Sequence, residues 1–150
     1  MNASLRISGY ASLFGQTDLS GDVVSRGAFA ASILALPDGR LPMLFGHETA
    51  APIGVWDRIF ENKTGLFVSG RLIGGAPETN RTAQLILEGA VSGLSIGYRV
   101  RRSVRNGSGR LLTELELWEV SVVAFPMLRS ARITQIDDLS TSHKGKMAYA

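Results

Sequence analysis

The sequence predicts a mostly β domain with flanking helices, an α+β chain whose strands form a closed or curled antiparallel β-barrel. Three observations carry this expectation. Long stretches alternate apolar and polar residues with a period of two. Turn-forming clusters such as "NKTG" and "RNGSG" join stretches of that kind. Only two segments show helical spacing, so helices belong outside the sheet. With 150 residues, 45% of them hydrophobic, the chain fits one domain that buries roughly 70% of the surface its unfolded form exposes.

Taken in order, residues 4 to 14 read as a strand, followed by the polar loop "GQTDLSGD". "SRGAFAASILAL" reads as a helix with Ser25 as its N-cap, Phe29, Ile33 and Leu36 at helical spacing, and Pro37 with Gly39 ending it. The short apolar run "LPMLFGHE" stops at His47. "PIGVWDRIFENKTGLFVSGRLI" reads as two strands joined at "NKTG". The second helix is "APETNRTAQLILEG", with Pro77 in its first turn, Ala83, Ile86, Leu87 and Ala90 on one face, and Gly89 closing it. "VSGLSIGYRVRRSV" and "RLLTELELWEVSVVAF" are long strands around "RNGSG". A domain of residues 1–136 is expected, with residues 137–150 as a polar, mobile tail.

Composition excludes several chemistries. There is no cysteine, hence no disulfide, thiolate metal site or cysteine nucleophile. His47 and His143 lie far apart, so neither a metal nor a cofactor is expected. No cationic leader precedes an apolar run, and no stretch reaches the ~18 apolar residues of a membrane span, so a soluble protein without a membrane partner is expected. The net charge is +3, from 16 Lys and Arg against 13 Asp and Glu, and much of the excess lies at 98 to 110. No base-stacking aromatics interleave those arginines, which favours a solvated hairpin face over a nucleic-acid patch.

"GLSIG" at 93 to 97 matches the Gly-x-Ser-x-Gly turn that exposes a nucleophilic serine between a strand and a helix. The context denies that turn. Leu94, Ile96, Tyr98 and Val100 alternate with Ser95, Gly97, Arg99 and Arg101, which is a strand. Ser95 remains a candidate nucleophile on another scaffold, because the same three-residue chemistry recurs in different chain orders. It needs a base, and His47 is the histidine inside the expected folded region. The ordinary alternative for His47 is a strand-end histidine bonded to backbone.

Glu119 is the candidate acid. Alternation puts Leu115, Leu117, Glu119, Ser121 and Val123 on one side of the strand and Trp118, Val120, Val122 and Ala124 on the other. Both sides are apolar near the middle, so the carboxylate is expected to be buried and in need of a donor such as imidazole N–H. A rim position or an arginine partner is the alternative. Glu116 is a rival acid nearer the turn, and Ser92 and Ser121 are rival serines without the flanking glycines of Ser95.

Taken together, "FGHE", "GLSIGY" and "LWEVSVVAFP" resemble the motif set of the prohead maturation proteases of tailed bacteriophages and related gene transfer agents. "GYASLFGQTDLSGDVVSRGAF" and "PIGVW" add to the resemblance, which runs from about residue 5 to about residue 136. It implies a barrel surrounded by helices, similar to the herpesvirus assembly proteases, and a serine protease with chain order His, Ser, acid. By position these are His47, Ser95 and Glu119. It further implies cleavage of a scaffold segment or major capsid protein precursor, and of the protease itself, inside the procapsid assembling in the bacterial host cytoplasm. Self-association is a possible partner interaction. The oxyanion donors are expected near Gly97 or in the turn around Arg129. The contrary expectations are a non-catalytic scaffold barrel and a small nucleic-acid-binding barrel using the 98 to 110 arginines.

Overall fold

Alternation builds β1 (Leu5–Leu13), where Leu5, Ile7 and Ala11 are buried while Arg6, Ser8 and Tyr10 keep contact with solvent. The computed structural model describes residues 4–139 and 148–149, and nine strands of the described residues form one sheet. β4 (Gly54–Glu61) and β5 (Gly65–Leu72) form the expected hairpin. Its turn is set by Asn62, whose side-chain oxygen accepts hydrogen bonds from the N–H groups of Thr64 and Gly65. β6 (Gly93–Asn106) and β7 (Gly109–Val123) form the second, longer hairpin around the glycine turn.

The order across the sheet is β2-β7-β3-β4-β5-β1-β8-β9, with β6 on the other edge of β7. Here β2 is Asp22–Val24, β3 is Leu41–Phe45, β8 is Ile133–Asp138 and β9 is Ala148–Tyr149. Two pairings depart from the antiparallel expectation: β2 and β3 both run parallel to β7. Parallel neighbours need a crossover, and the chain makes it by passing through β4, β5 and β6 between β3 and β7. The ladders leave the sheet open rather than closed into a barrel. Among the described residues, β6 meets the approach to β8 at a lone bridge, Gly93 to Arg132. It is flanked by Leu94 N–H to Ala131 O at 2.9 Å and Ile133 N–H to Ser92 O at 2.8 Å.

The first helix is shorter than its sequence pattern. α1 spans Ala30–Leu34, and Phe29, not Ser25, stands at its N-cap without a side-chain cap. Ser25 instead turns the chain, its carbonyl accepting from Ala28 N–H while its own N–H reaches Leu112 O. Glu61 caps from outside, accepting the Phe29 N–H at 2.8 Å. α2 (Pro77–Leu87) begins with Pro77 as expected, and Gly89 ends it in a left-handed conformation. Its inward face is Thr79, Thr82, Ala83 and Ile86, whereas Leu87 is exposed.

The core gathers the inner faces of these strands around Trp56, Met43, Leu66, Leu94 and Val120, with Phe29 beneath α1. β8 was not anticipated from the sequence, because "ITQIDD" buries only Ile133. The boundary expected at 136 falls inside that strand. Residues 140–147 and 150, including His143, lie outside the described residues.

Candidate active site

The chain leaves β3 through two consecutive left-handed residues, Gly46 at φ 60° and His47 at φ 63°. That conformation costs a non-glycine residue roughly 1–2 kcal/mol, so contacts must hold it. Gly46 N–H reaches Val122 O at 3.0 Å, Glu48 N–H reaches Phe45 O at 3.1 Å, and His47 N–H reaches the Ser121 hydroxyl at 2.9 Å. The result lifts the imidazole off the end of β3 with its side chain 44% exposed.

Ser95 and Glu119 come from the two strands of the long hairpin. In its register Ser95 stands opposite Ser121, and Gly97 opposite Glu119. A Cβ at position 97 would lie 2.7 Å from the Glu119 Cδ and 2.9 Å from its Cγ, so glycine is what leaves room for the carboxyl group. The second glycine of "GLSIG" thus makes space for an acid across the ladder and forms no elbow.

These three side chains, 48 and 72 residues apart along the chain, meet in a line. Glu119 Oε2 lies 2.5 Å from His47 Nδ1, and His47 Nε2 lies 3.3 Å from Ser95 Oγ. The other carboxylate oxygen, Oε1, accepts the Ser121 hydroxyl at 2.9 Å. A neutral imidazole donates from Nδ1 to the carboxylate and leaves the Nε2 lone pair facing the serine. Glu119 is buried, as the two-sided apolar pattern of its strand implies, and Ser121 is fully buried.

The rivals are engaged elsewhere. Glu116 is 42% exposed and pairs with Arg101 at 3.7 Å. The Ser92 hydroxyl accepts from Arg132 Nη1 at 3.0 Å. Ser121 sits in the cluster, but its hydroxyl is occupied and shielded from any substrate. Among the described residues, no group of three or more His, Cys, Asp and Glu side chains is placed to hold a metal, and no helix is long and apolar enough to cross a membrane.

A cavity of about 160 Å³ opens beside His47 and Ser95. Its walls are largely apolar, from Leu13, Val24, Leu94, Ile96, Met127 and Leu128, and Asp18, Asp22 and Tyr98 add polar groups. The Asp22 carboxyl is held below the usual range by the hydrogen bonds of Arg110, at 3.1 and 2.8 Å, which outweigh the effect of its burial. Burial pushes the Tyr98 phenol up, and the neighbouring Asp18 and Asp22 charges add to the effect.

A family model described as caudovirus prohead serine protease matches residues 1–146. The chain belongs to that family. This member of the prohead serine proteases is 34% identical over 140 residues to the prohead protease of Enterobacteria phage HK97, covering 89% of its own chain and 62% of that protein. It is also similar to the KSHV protease solved with a hexapeptide phosphonate inhibitor, with TM-score 0.57, 16% identity, and coverage of 87% and 64% of the two chains. For the varicella-zoster virus protease the TM-score is 0.56 and the identity 14%, with coverage of 87% and 63%. At such identities the likeness is one of fold: mostly β, with few helices. The chain spans less than two thirds of the length of each of these relatives.

Proposed function

We propose that this chain is a serine endopeptidase in which Ser95 is the nucleophile, His47 the general base and acid, and Glu119 the group that orients the imidazole. The observation that carries this reading is the unbroken line from the Glu119 carboxylate through both ring nitrogens of His47 to the Ser95 hydroxyl. A 3.3 Å gap at the serine suits a site without substrate, since such contacts tighten when the reacting complex forms.

Ser95 Oγ attacks the scissile carbonyl carbon as its proton passes to His47 Nε2. The C–N bond then breaks, His47 returns that proton to the departing amine, and an ester to Ser95 remains. Water attacks the ester, again giving a proton to His47, and the serine is restored. Glu119 stays ionised throughout, holding Nδ1–H and stabilising the positive charge that develops on the ring. The cavity receives a side chain flanking the scissile bond. Its apolar walls exclude water there, which strengthens every charge interaction beside it. The turn of residues 126–131 is favoured as the source of oxyanion donors, because Met127 and Leu128 line the same cavity as Ser95.

Family membership extends the reading to biology. The substrate is a scaffold segment or a major capsid protein precursor, and the place of action is the inside of the procapsid. The arginine-rich hairpin favours this over nucleic-acid binding, because Arg101, Arg102 and Arg110 are matched by Glu116, Glu114 and Asp22. The test is to incubate the chain and its Ser95→Ala variant with the cognate capsid precursor and size the fragments. Discrete fragments from the first and none from the second are expected, and equal processing by both sinks the proposal.

A further inference from the structure

We infer that Ser121 is a positioning residue of this site, its single hydroxyl locking the backbone of the base and the carboxylate of the acid into one geometry. The inference rests on the reading of Ser95, His47 and Glu119 given above. Ser121 Oγ accepts the His47 N–H at 2.9 Å and donates to Glu119 Oε1 at 2.9 Å. It thus bridges two site residues that also touch each other directly through Nδ1 and Oε2. Backbone, hydroxyl, carboxylate and imidazole form a closed ring of contacts.

Nothing in the packing asks for a hydroxyl there. Position 121 is fully buried, between Val120 and Val122 along the strand, and stands opposite Leu44 of β3 and Ser95 of β6. A valine or isoleucine is the ordinary residue of such a core strand, and a hydroxyl in that setting is unfavourable unless it is bonded. Both of its partners belong to the site. Each has a need that the hydroxyl meets: His47 must be kept in a left-handed conformation, and Oε1 would otherwise be a buried carboxylate oxygen without a donor. With Oε1 fixed, the carboxyl plane cannot rotate, so Oε2 stays aimed at Nδ1. Ser121 does not touch the reacting atoms and acts through the two residues that do.

The test uses the whole chain and a fluorophosphonate, whose phosphorus bonds to the serine oxygen as fluoride leaves and the serine proton passes to the base. Adduct formation followed by intact mass gives kinact and KI without a known substrate. Ser121→Ala is expected to lower kinact about 10- to 100-fold, the scale of a small misplacement of reacting groups, with KI unchanged. Ser121→Thr, which keeps the hydroxyl, is expected to restore kinact. The low-field Nδ1–H proton resonance of His47 is expected to be broadened in Ser121→Ala and sharp in Ser121→Thr. Should thermal melting show that Ser121→Ala does not fold, Ser121→Cys, similar in size and a weak donor, takes its place under the same criterion. Wild-type kinact in the alanine or cysteine variant overturns the inference, as does a folded threonine variant that fails to recover. Loss of adduct in Ser95→Ala alongside wild-type kinact in Ser121→Ala overturns it alone, whereas an adduct that survives Ser95→Ala overturns the nucleophile assignment with it.

Discussion

Glu119 holds its position because Gly97 has no side chain. The carboxyl group occupies the volume that a Cβ at 97 would take, and it is clamped there by His47 and Ser121. Gly97→Ala is therefore expected to push the carboxylate off the imidazole and slow adduct formation by about 100-fold, with melting changed far less. Glu119→Gln keeps the size but offers an amide in place of an acceptor-only carboxylate, so the ring can adopt the wrong tautomer. Peptide cleavage should fall by up to about 10⁴-fold, and turnover within twofold of wild type would move the acid role elsewhere. His47, Ser95 and Glu119 could be singled out in the sequence as candidates, because Ser95 stands between glycines in a strand period, Glu119 lies amid apolar residues, and His47 is the histidine inside the expected folded region. The bridging part of Ser121 could not. Periodicity set it on the face of Glu119, but its second partner is the His47 N–H just past the end of β3, and no local pattern reveals which strand lies alongside.

At the level of strands, two cross-links carry the sheet that aims these groups. Trp56 on β4 is fully buried and donates its indole N–H to Val120 O on β7 at 2.9 Å. Trp56→Phe leaves that carbonyl without its donor, and chemical denaturation should read a loss of about 1–3 kcal/mol. The second link joins β1, β4 and β5. Arg6 makes two 2.9 Å bonds to Asp57 and a third, at 3.0 Å, to Ser69. The Arg6 hydrogen bonds hold the Asp57 carboxyl below the usual range against the opposing effect of burial. A carboxyl that binds protons more weakly when folded stabilises the protein above the ordinary value near 3.9, and that contribution is lost as pH falls through the lower folded value. Asp57→Asn should thus cost about 1 kcal/mol at pH 7, a figure reduced by partial exposure to water, and a smaller amount at about pH 3, below the ordinary carboxyl value. An equal deficit at both pH values would show that the pair's charge is not what matters. The two hairpins and α2 were readable because turn chemistry and Pro77 mark them locally. The short β2 and the polar β8 were not, since three residues or one buried isoleucine make no period.

For the whole molecule, the site is a product of topology. Its members lie on β6, on β7 and at the end of β3, and β3 reaches β7 through a parallel pairing made only after most of the chain has been laid down. The three side chains cannot be brought together until β3 joins the β6–β7 hairpin. Fluorophosphonate labelling in increasing urea should fade along the same transition as tryptophan fluorescence, and labelling that vanishes well before the fluorescence change would reveal a site that melts independently. Sheet class was visible from the strands, but parallel pairing and an open rather than closed ladder depend on long-range partners that periodicity does not encode. One asymmetry follows from β7 being hydrogen-bonded on both edges while His47 stands on a two-residue bend at a strand end. The acid is bolted into the sheet, whereas the base projects from a short bend pinned by three backbone N–H hydrogen bonds. A small molecule wedged against the histidine has only that bend to push aside, while one aimed at the glutamate must unzip paired strands, so the vulnerable flank of this centre for inhibition is the side facing the imidazole.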